Sequence, residues 1–383
     1  MKKIVALILV VLFAFSALSL ASCGSINDAD VAILWRGEGN VKAPNSLINA
    51  MERAMYIENI SYAHYGAEQN SDKQLDQADE ALEAGCAALL VELVNPLAAQ
   101  EIVDAAKAKD VPVVFFNSLV PEAVVDSYDK CVSVATDITS VAKVQGEMIG
   151  KYVVSNYEQI DRNGDGKISY IAFTDGLADS VVEAANDVIA DDKKASGYTL
   201  EYFDEEVPLK EFPSVGAGAA YTVALERYND DNENMAEIVI TSNDLVACEI
   251  LMILQKEGYN TNKLNTHLIP IFTVGSNVDY KALVLAGKPE NSDEVDEYYE
   301  EMKYLCDLSV VEEEDLEEMI WNTSNVIDAG RIAGTALENQ DAIAEAVAKI
   351  TRNFIKEKPA FEKVESGEVK GSILLIDYTV YPN

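Results

Sequence analysis

Short apolar runs rich in β-formers alternate with longer amphipathic segments along most of the chain, and that rhythm confines it to the α/β class. Val31-Ala32-Ile33-Leu34-Trp35 predicts the first strand, Asn45 to Tyr56 a helix, and Ile60 to Tyr65 the second strand. A helix from about Lys73 to Ala84 follows, then a strand from Ala87 to Val91, a helix from Ala98 to Lys109 and a strand at Pro112 to Phe116. Further on the rhythm restarts, with strands at Ile168–Phe173, Thr199–Phe203, Glu237–Thr241 and Leu268–Val274. Helices near Ser180–Ala190, Ala217–Tyr228 and Leu245–Lys256 separate them. Two consecutive runs predict two doubly wound, Rossmann-like lobes, and ligands of such sheets bind beyond the carboxyl ends of the strands. A length of 383 residues also points to more than one core.

The amino terminus bears on where the protein works. Lys2 and Lys3 precede a near-continuous apolar run from Ile4 to Leu20, the pattern of a secretory leader. The run closes on Leu20-Ala21-Ser22-Cys23, which resembles the bacterial lipobox, whose cysteine receives a diacylglyceryl group and becomes the first residue. Residues 1–22 are therefore expected to be a lipoprotein signal peptide, Cys23 the lipidation site and residues 23–30 an anchor linker. The alternative is an ordinary signal peptide with an incidental cysteine. Two acyl chains suffice for stable anchoring, so the expected location is extracytoplasmic, tethered to the bacterial cell membrane.

Of the 29 lysines and arginines, 27 remain without Lys2 and Lys3, against 66 acidic residues, a formal charge of −39. That sign excludes nucleic acid as a partner and disfavours anionic lipid, so contact with the membrane is expected only through the anchor. Cys86, Cys131, Cys248 and Cys306 are widely spaced, mostly within apolar runs, and are read as small buried hydrophobes. Residues 290–319 carry 14 acidic residues and one lysine, Lys303, and are read as a solvated acidic insertion.

Asp161-Arg162-Asn163-Gly164-Asp165-Gly166-Lys167-Ile168-Ser169 places oxygen ligands at positions 1, 3, 5 and 9, and glycine at 6, as a calcium loop requires. The seventh position, Lys167, would contribute its carbonyl. At the twelfth position, where an EF-hand has a bidentate glutamate, stands Ala172, and the chain runs directly into a strand. The loop is not an EF-hand, so a carboxylate from elsewhere must complete the shell. A plain Asp/Asn/Gly turn is the alternative; if metal binds, structural calcium is expected.

Polar residues stand just past the predicted strand ends: Arg36 after Trp35, Asn117 after Phe116, Asp175 and Asp179 after Phe173, and Asn243 with Asp244 after Thr241. Planar amides and carboxylates pair with vicinal hydroxyls, and aromatic rings cover the apolar face of a pyranose, so the set suits a polyol or sugar. Each is equally suited to a turn or cap, and Asp244 in particular reads as a helix cap. Other motifs carry less. Gly37-Glu38-Gly39-Asn40-Val41-Lys42 lacks the third glycine of a dinucleotide fingerprint. Ser127-Lys130 and Ser140-Lys143 have no accompanying Lys-Thr-Gly, and no histidine stands where a base would. The chain is read as a non-enzyme; a hydrolase using Asp175 and Asp179 is the weaker class.

The chain resembles the galactose/glucose-binding proteins of bacterial ABC sugar importers. The similarity is densest from Asn95-Pro96 through Val111-Pro112-Val113-Val114-Phe115-Phe116-Asn117 and Asp126-Ser127-Tyr128-Asp129-Lys130 to Gln145-Gly146. The resemblance implies a type I periplasmic binding protein fold, two lobes joined by a three-strand hinge. The implied boundaries are 31–136 plus 322–355 for the N-terminal lobe and 137–321 plus 356–383 for the C-terminal lobe. It implies that Glu237 completes the calcium loop of residues 161–169. It makes Asn117, Asn243, Asp179 and Asn322 ligand residues, with Phe212 in place of the family's stacking tryptophan. The first-lobe loop lacks the family's aspartate and aromatic and offers Trp35, Arg36 and Glu38, and the second lobe's His-x-Asp-x-x-x-Arg keeps only Asp179. The strand expected to end in Val-Asp ends in Val274-Gly275. The implied function is a monomeric substrate-binding protein that carries a galactose- or glucose-like carbohydrate to ABC permease subunits. The alternative is a sensory receptor presenting sugar to a chemoreceptor or sensor kinase.

Overall fold

The computed structural model describes residues 31–38, 47–203, 236–256, 258–260, 268–275, 327 and 330–382. Cys23, Phe212, Asn322, the helix expected at 217–228 and the acidic stretch 290–319 lie outside them. The chain divides into two compact units, the first formed by Met1–Thr136 and Asn339–Ile376, the second by Asp137–Glu338 and Asp377–Asn383.

Strands β1 (Val31–Trp35), β2 (Tyr62–Gly66), β3 (Ala88–Val91), β4 (Val113–Phe116) and β5 (Cys131–Thr136) of the first unit run parallel. They alternate with helices α1 (Leu47–Ile57), α2 (Ser71–Glu83), α3 (Ala99–Ala108) and the short α4 (Glu122–Val125). The sheet order is β11-β12-β5-β4-β3-β1-β2, with β11 (Glu368–Lys370) and β12 (Ile373–Ile376) supplied by the returning chain. Strands buried on both faces read as continuous apolar runs, as in Ala88-Leu89-Leu90-Val91. One face packs Ile33, Trp35, Leu90, Val114 and Phe116 against α1 and the late helix α8 (Gln340–Ile355). The other packs Leu34, Leu89, Val91 and Phe115 against α2 and α3.

The second unit contains α5 (Val141–Ile160), β6 (Lys167–Phe173), α6 (Ala178–Asp191), β7 (Thr199–Tyr202), β8 (Ile238–Thr241), α7 (Asp244–Lys256) and β9 (Ile271–Val274). Strands β10 (Gly334–Leu337) and β13 (Thr379–Tyr381) complete a sheet ordered β13-β10-β9-β8-β6-β7. It is parallel except where β13 runs against β10. Helices α5 and α6 meet along a seam in which Gly146 and Gly150 lie against Val181, Ala184, Ala185 and Val188.

The return boundaries differ from those expected from the resemblance. Residues 356–376 belong to the first unit, because β12 joins its sheet beside β5 with Ile373 opposite Ser133 and Ile376 opposite Thr136. Residues up to Glu338 belong to the second, because β10 extends its sheet from β9. Strand β5 and helix α5 were not anticipated from the alternation. Cys131-Val132-Ser133-Val134-Ala135-Thr136 mixes in polar residues, and the glycines of α5 interrupt its apolar stripe. Among the described residues no helix is long and apolar enough to cross a membrane.

Candidate functional site

In the first unit β3 lies between β1 and β4, with Leu34 beside Val91 and Val91 beside Phe115. That register makes the residues emerging from the three strands neighbours at the carboxyl edge: Arg36, Glu92 and Asn117. Glu92 continues the ladder by donating its N–H to the Leu34 carbonyl at 2.9 Å, and Asn117 does so toward the Val134 carbonyl at 3.0 Å. Asn117 also adopts φ 50°, the left-handed conformation that asparagine tolerates.

Glu92 is the centre of the cluster and only 8% exposed. Its Oε1 accepts from Asn117 Nδ2 at 2.7 Å and from Arg36 Nη2 at 3.3 Å, while Oε2 accepts from the Arg36 backbone N–H at 3.3 Å. Buried Gln74 fixes the backbone behind it, donating to the Glu92 carbonyl at 2.9 Å and accepting from the Val94 N–H at 3.0 Å. A carboxylate out of water is stable only when its lone pairs are filled and its charge is met, and here both conditions hold. The Arg36 side chain remains 44% exposed. Glu92 was absent from the sequence-derived set. Its signal is a single acidic residue within Leu89-Leu90-Val91-Glu92-Leu93-Val94, at a strand end.

Trp35, expected as a ligand residue, is 3% exposed and part of the sheet core. Its ring stands edge-on to Phe116 at 5.2 Å, and its indole N–H donates to His64 Nδ1 at 2.7 Å. His64 Nε2 in turn lies 3.4 Å from Glu52 Oε1.

In the second unit Asp179 is exposed in the first turn of α6, where the helix dipole favours a carboxylate. Asn243 ends the loop after β8, and its Oδ1 accepts from the Val246 N–H at 2.9 Å. The cap of α7 is therefore Asn243, correcting the assignment to Asp244, which is the first helical residue and is buried. Asp244 stands beside Gly275, where a Cβ would lie 3.1 Å from its Oδ1. The missing side chain after Val274 leaves room for the carboxylate that follows the neighbouring strand.

The loop at 161–169 shows where its oxygens are spent. Asp161 Oδ1 accepts from the N–H groups of Gly164 and Asp165 at 2.8 and 3.2 Å, and Oδ2 from that of Gly166 at 3.0 Å. Asn163 Oδ1 accepts from the Asp165 N–H at 3.0 Å, and Asp165 Oδ1 from that of Lys167 at 2.8 Å. The two turns need φ 71° at Gly164 and 80° at Gly166, conformations open to glycine. Glu237, 3% exposed, precedes β8 and reaches back to the loop. It accepts from the Arg162 N–H at 2.6 Å, the Ser169 N–H at 2.9 Å and the Ser169 hydroxyl at 3.1 Å. Asp161, Asn163 and Asp165 thus form one hydrogen-bonded group within the loop, and Glu237 with Ser169 a second beside it, all of them hard oxygen donors of the kind calcium takes. Among the described residues no three His, Cys, Asp or Glu side chains are gathered tightly enough to mark a metal by themselves. Backbone N–H groups occupy the carboxylates instead. The Lys167 ammonium turns away, to Glu201 at 2.7 Å.

Two mostly parallel α/β sheets, of seven and six strands, each carry polar groups at their carboxyl edge. Residues 42–305 match the periplasmic binding protein domain family, and the chain belongs to it. The family is one of periplasmic binding proteins. The chain is 26% identical over 215 residues to the D-galactose/methyl-galactoside binding periplasmic protein MglB of Haemophilus influenzae, a match covering 56% of this chain and 61% of that protein's length. Among solved structures, a XylFII–LytSN complex aligns over 93% of this chain and 98% of that one, with 13% identity and a TM-score of 0.52. AraP, an arabinose binding protein from Geobacillus stearothermophilus, aligns over 92% and 96%, with 10% identity and a TM-score of 0.50. At such identities the structural likeness establishes the fold.

Proposed function

We propose that the chain is the extracytoplasmic receptor of an ABC importer, held to the membrane by a lipid on Cys23, and that it delivers a carbohydrate to the permease. The observation that carries this reading is the Arg36–Glu92–Asn117 cluster, which offers a guanidinium and an amide side by side at the carboxyl edge of a parallel sheet. Such planar donor and acceptor groups suit vicinal hydroxyls. The galactoside-binding name of the matched relative points the same way. Asn243 and Asp179 are the corresponding candidates in the second unit, with Phe212 and Asn322 retained as expected ligand residues. Calorimetric titration of the domain from Gly24 onward against monosaccharides, nucleosides and amino acids tests the reading. Binding of a sugar with no competing class supports it; binding of a nucleoside or amino acid alone refutes it. Mass spectrometry of the membrane-extracted protein tests the anchor, which requires a diacylglyceryl adduct on Cys23.

Calcium is proposed as a structural ion held by Asp161, Asn163, Asp165, the Lys167 carbonyl, Ser169 and Glu237. The loop's two glycine turns and the buried glutamate reaching into it support this assignment. When bound, the ion would pin the start of β6 to the start of β8, leaving the binding chemistry to the strand ends.

A further inference from the structure

Arg36 and Asn117 show unequal use of their polar atoms. Among the described residues, the Arg36 guanidinium makes one side-chain hydrogen bond, to Glu92, so Nε and Nη1 are without protein partners. Asn117 spends one Nδ2 hydrogen on Glu92, which fixes the flip of its amide and, among the described residues, leaves Oδ1 as a free acceptor. The free groups are thus a planar cation's donors and an amide's acceptor. The cation's charge is met by a carboxylate that is itself sheltered from water.

We propose that Glu92 is the specificity determinant of this half-site, cancelling the charge of Arg36 so that the site takes an uncharged polyol and rejects its anionic counterpart. This rests on the carbohydrate reading given above. An arginine alone at a strand end would be an anion trap, because its fork matches a carboxylate or phosphate bidentately. With Glu92 Oε1 already on Nη2, the pair is electroneutral, and a ligand carboxylate arriving at the guanidinium would also approach a buried like charge. Neutral hydroxyls meet no such repulsion. They accept from the free Arg36 donors and donate to Asn117 Oδ1. Because Glu92 and Arg36 share a side-chain hydrogen bond, the repulsion acts at close range, where Coulomb's law at protein-surface permittivity makes it worth about tenfold to a hundredfold in affinity.

The test is calorimetry with glucose, galactose and myo-inositol beside glucuronate, galacturonate and gluconate, using the mature domain and two variants. In the unaltered protein the neutral compound of each pair should bind about tenfold to a hundredfold more tightly. Glu92→Gln keeps the shape and removes the charge, so the preference should collapse or invert in favour of the acids. Arg36→Gln alters a half-exposed side chain outside the core, which keeps the test alive if Glu92→Gln fails to fold; it should widen the preference for neutral ligands. Acids bound as tightly as neutral sugars by the unaltered protein, or a ratio unchanged in the folded variants, overturns the proposal and leaves carbohydrate binding standing. No binding of either set overturns the carbohydrate reading and this proposal with it.

Discussion

Replacing Gly146 with alanine tests how the second unit is held together. In an exposed helix the change would stabilise by about 1 kcal/mol, since glycine is the poorer helix former. On α5 it places a methyl group against the seam with α6. The new Cβ would meet the Val181 carbonyl oxygen, lie 2.6 Å from Ala184 Cβ and lie 3.1 Å from the Ala185 nitrogen. Two of these three neighbours are backbone, so no rotamer change relieves the clash and the helices must separate. Overpacking of this kind costs about 1–3 kcal/mol, with rigid neighbours favouring the upper end, so the net loss should be about 1–2 kcal/mol. For a unit of this size the melting temperature should fall by about 2–8 °C. The effect should also reach the binding edge. Adjacent Gln145 is buried and donates to the Thr241 carbonyl at 2.8 Å and the Phe272 carbonyl at 3.4 Å, tying α5 to the end of β8 and to the first half of β9. Gly150→Ala, one turn along the same face, should behave alike, and the double variant should lose less than the two losses combined, because helices already separated admit the second methyl. The assay is urea denaturation followed by circular dichroism. A midpoint unchanged or raised in Gly146→Ala would refute the reasoning and show that the seam yields at no cost.

Adding a chelator to the calcium-loaded protein should lower its melting temperature, by the equivalent of about 4 kcal/mol when calcium had stood a thousandfold above its dissociation constant; an identical melting curve with and without chelator refutes the site. Gln74→Leu should cost about 2–4 kcal/mol in a denaturant titration, since the buried Glu92 carbonyl and the part-buried Val94 N–H would both lose their Gln74 partner. Burial pushes the Cys86 thiol up to about 11 and those of Cys131 and Cys248 up to about 12. None of the three should react with a thiol reagent at pH 8 until the protein is unfolded. The same shifts set an alkaline limit. In the unfolded chain these thiols ionise near 9, so their contribution is complete below that pH and is lost as pH rises through the folded values. The urea midpoint should therefore fall between pH 8 and pH 11.

The alternation of apolar runs and amphipathic segments was enough to locate most described strands of both sheets, because strands buried on both faces leave unbroken apolar words such as Val113-Val114-Phe115-Phe116. The turn at residues 161–169, for which calcium remains a proposal, was legible because it lies in nine consecutive residues; the buried, loop-facing Glu237 came only from the resemblance, being remote in sequence. Glu92 was hidden for the reason that makes it informative. A lone glutamate in an apolar run looks like a strand's solvent edge, and only the β1-β3-β4 order brings it to Arg36 and Asn117. Trp35 shows the converse: the resemblance offered it as the first lobe's aromatic ligand contact, but whether a ring turns into the core depends on a neighbour such as His64 from another strand. The return boundaries were misplaced because the pairing of Ile373–Ile376 with β5 is a long-range choice that no local pattern announces.

That late return has a consequence for biosynthesis. Ile343, Val347 and Ile350 of α8 cover the sheet face bearing Ile33, Leu90, Val114 and Phe116, yet they are made more than two hundred residues after β4. Until they emerge, that face of the first sheet is covered by α1 alone, and the unit cannot close its core however quickly its earlier strands pair. A nascent chain that still lacks α8 is thus expected to leave part of this apolar face exposed, a surface of the kind that holding chaperones cover. The same delay is expected to keep the first unit from setting until nearly the whole polypeptide has been made.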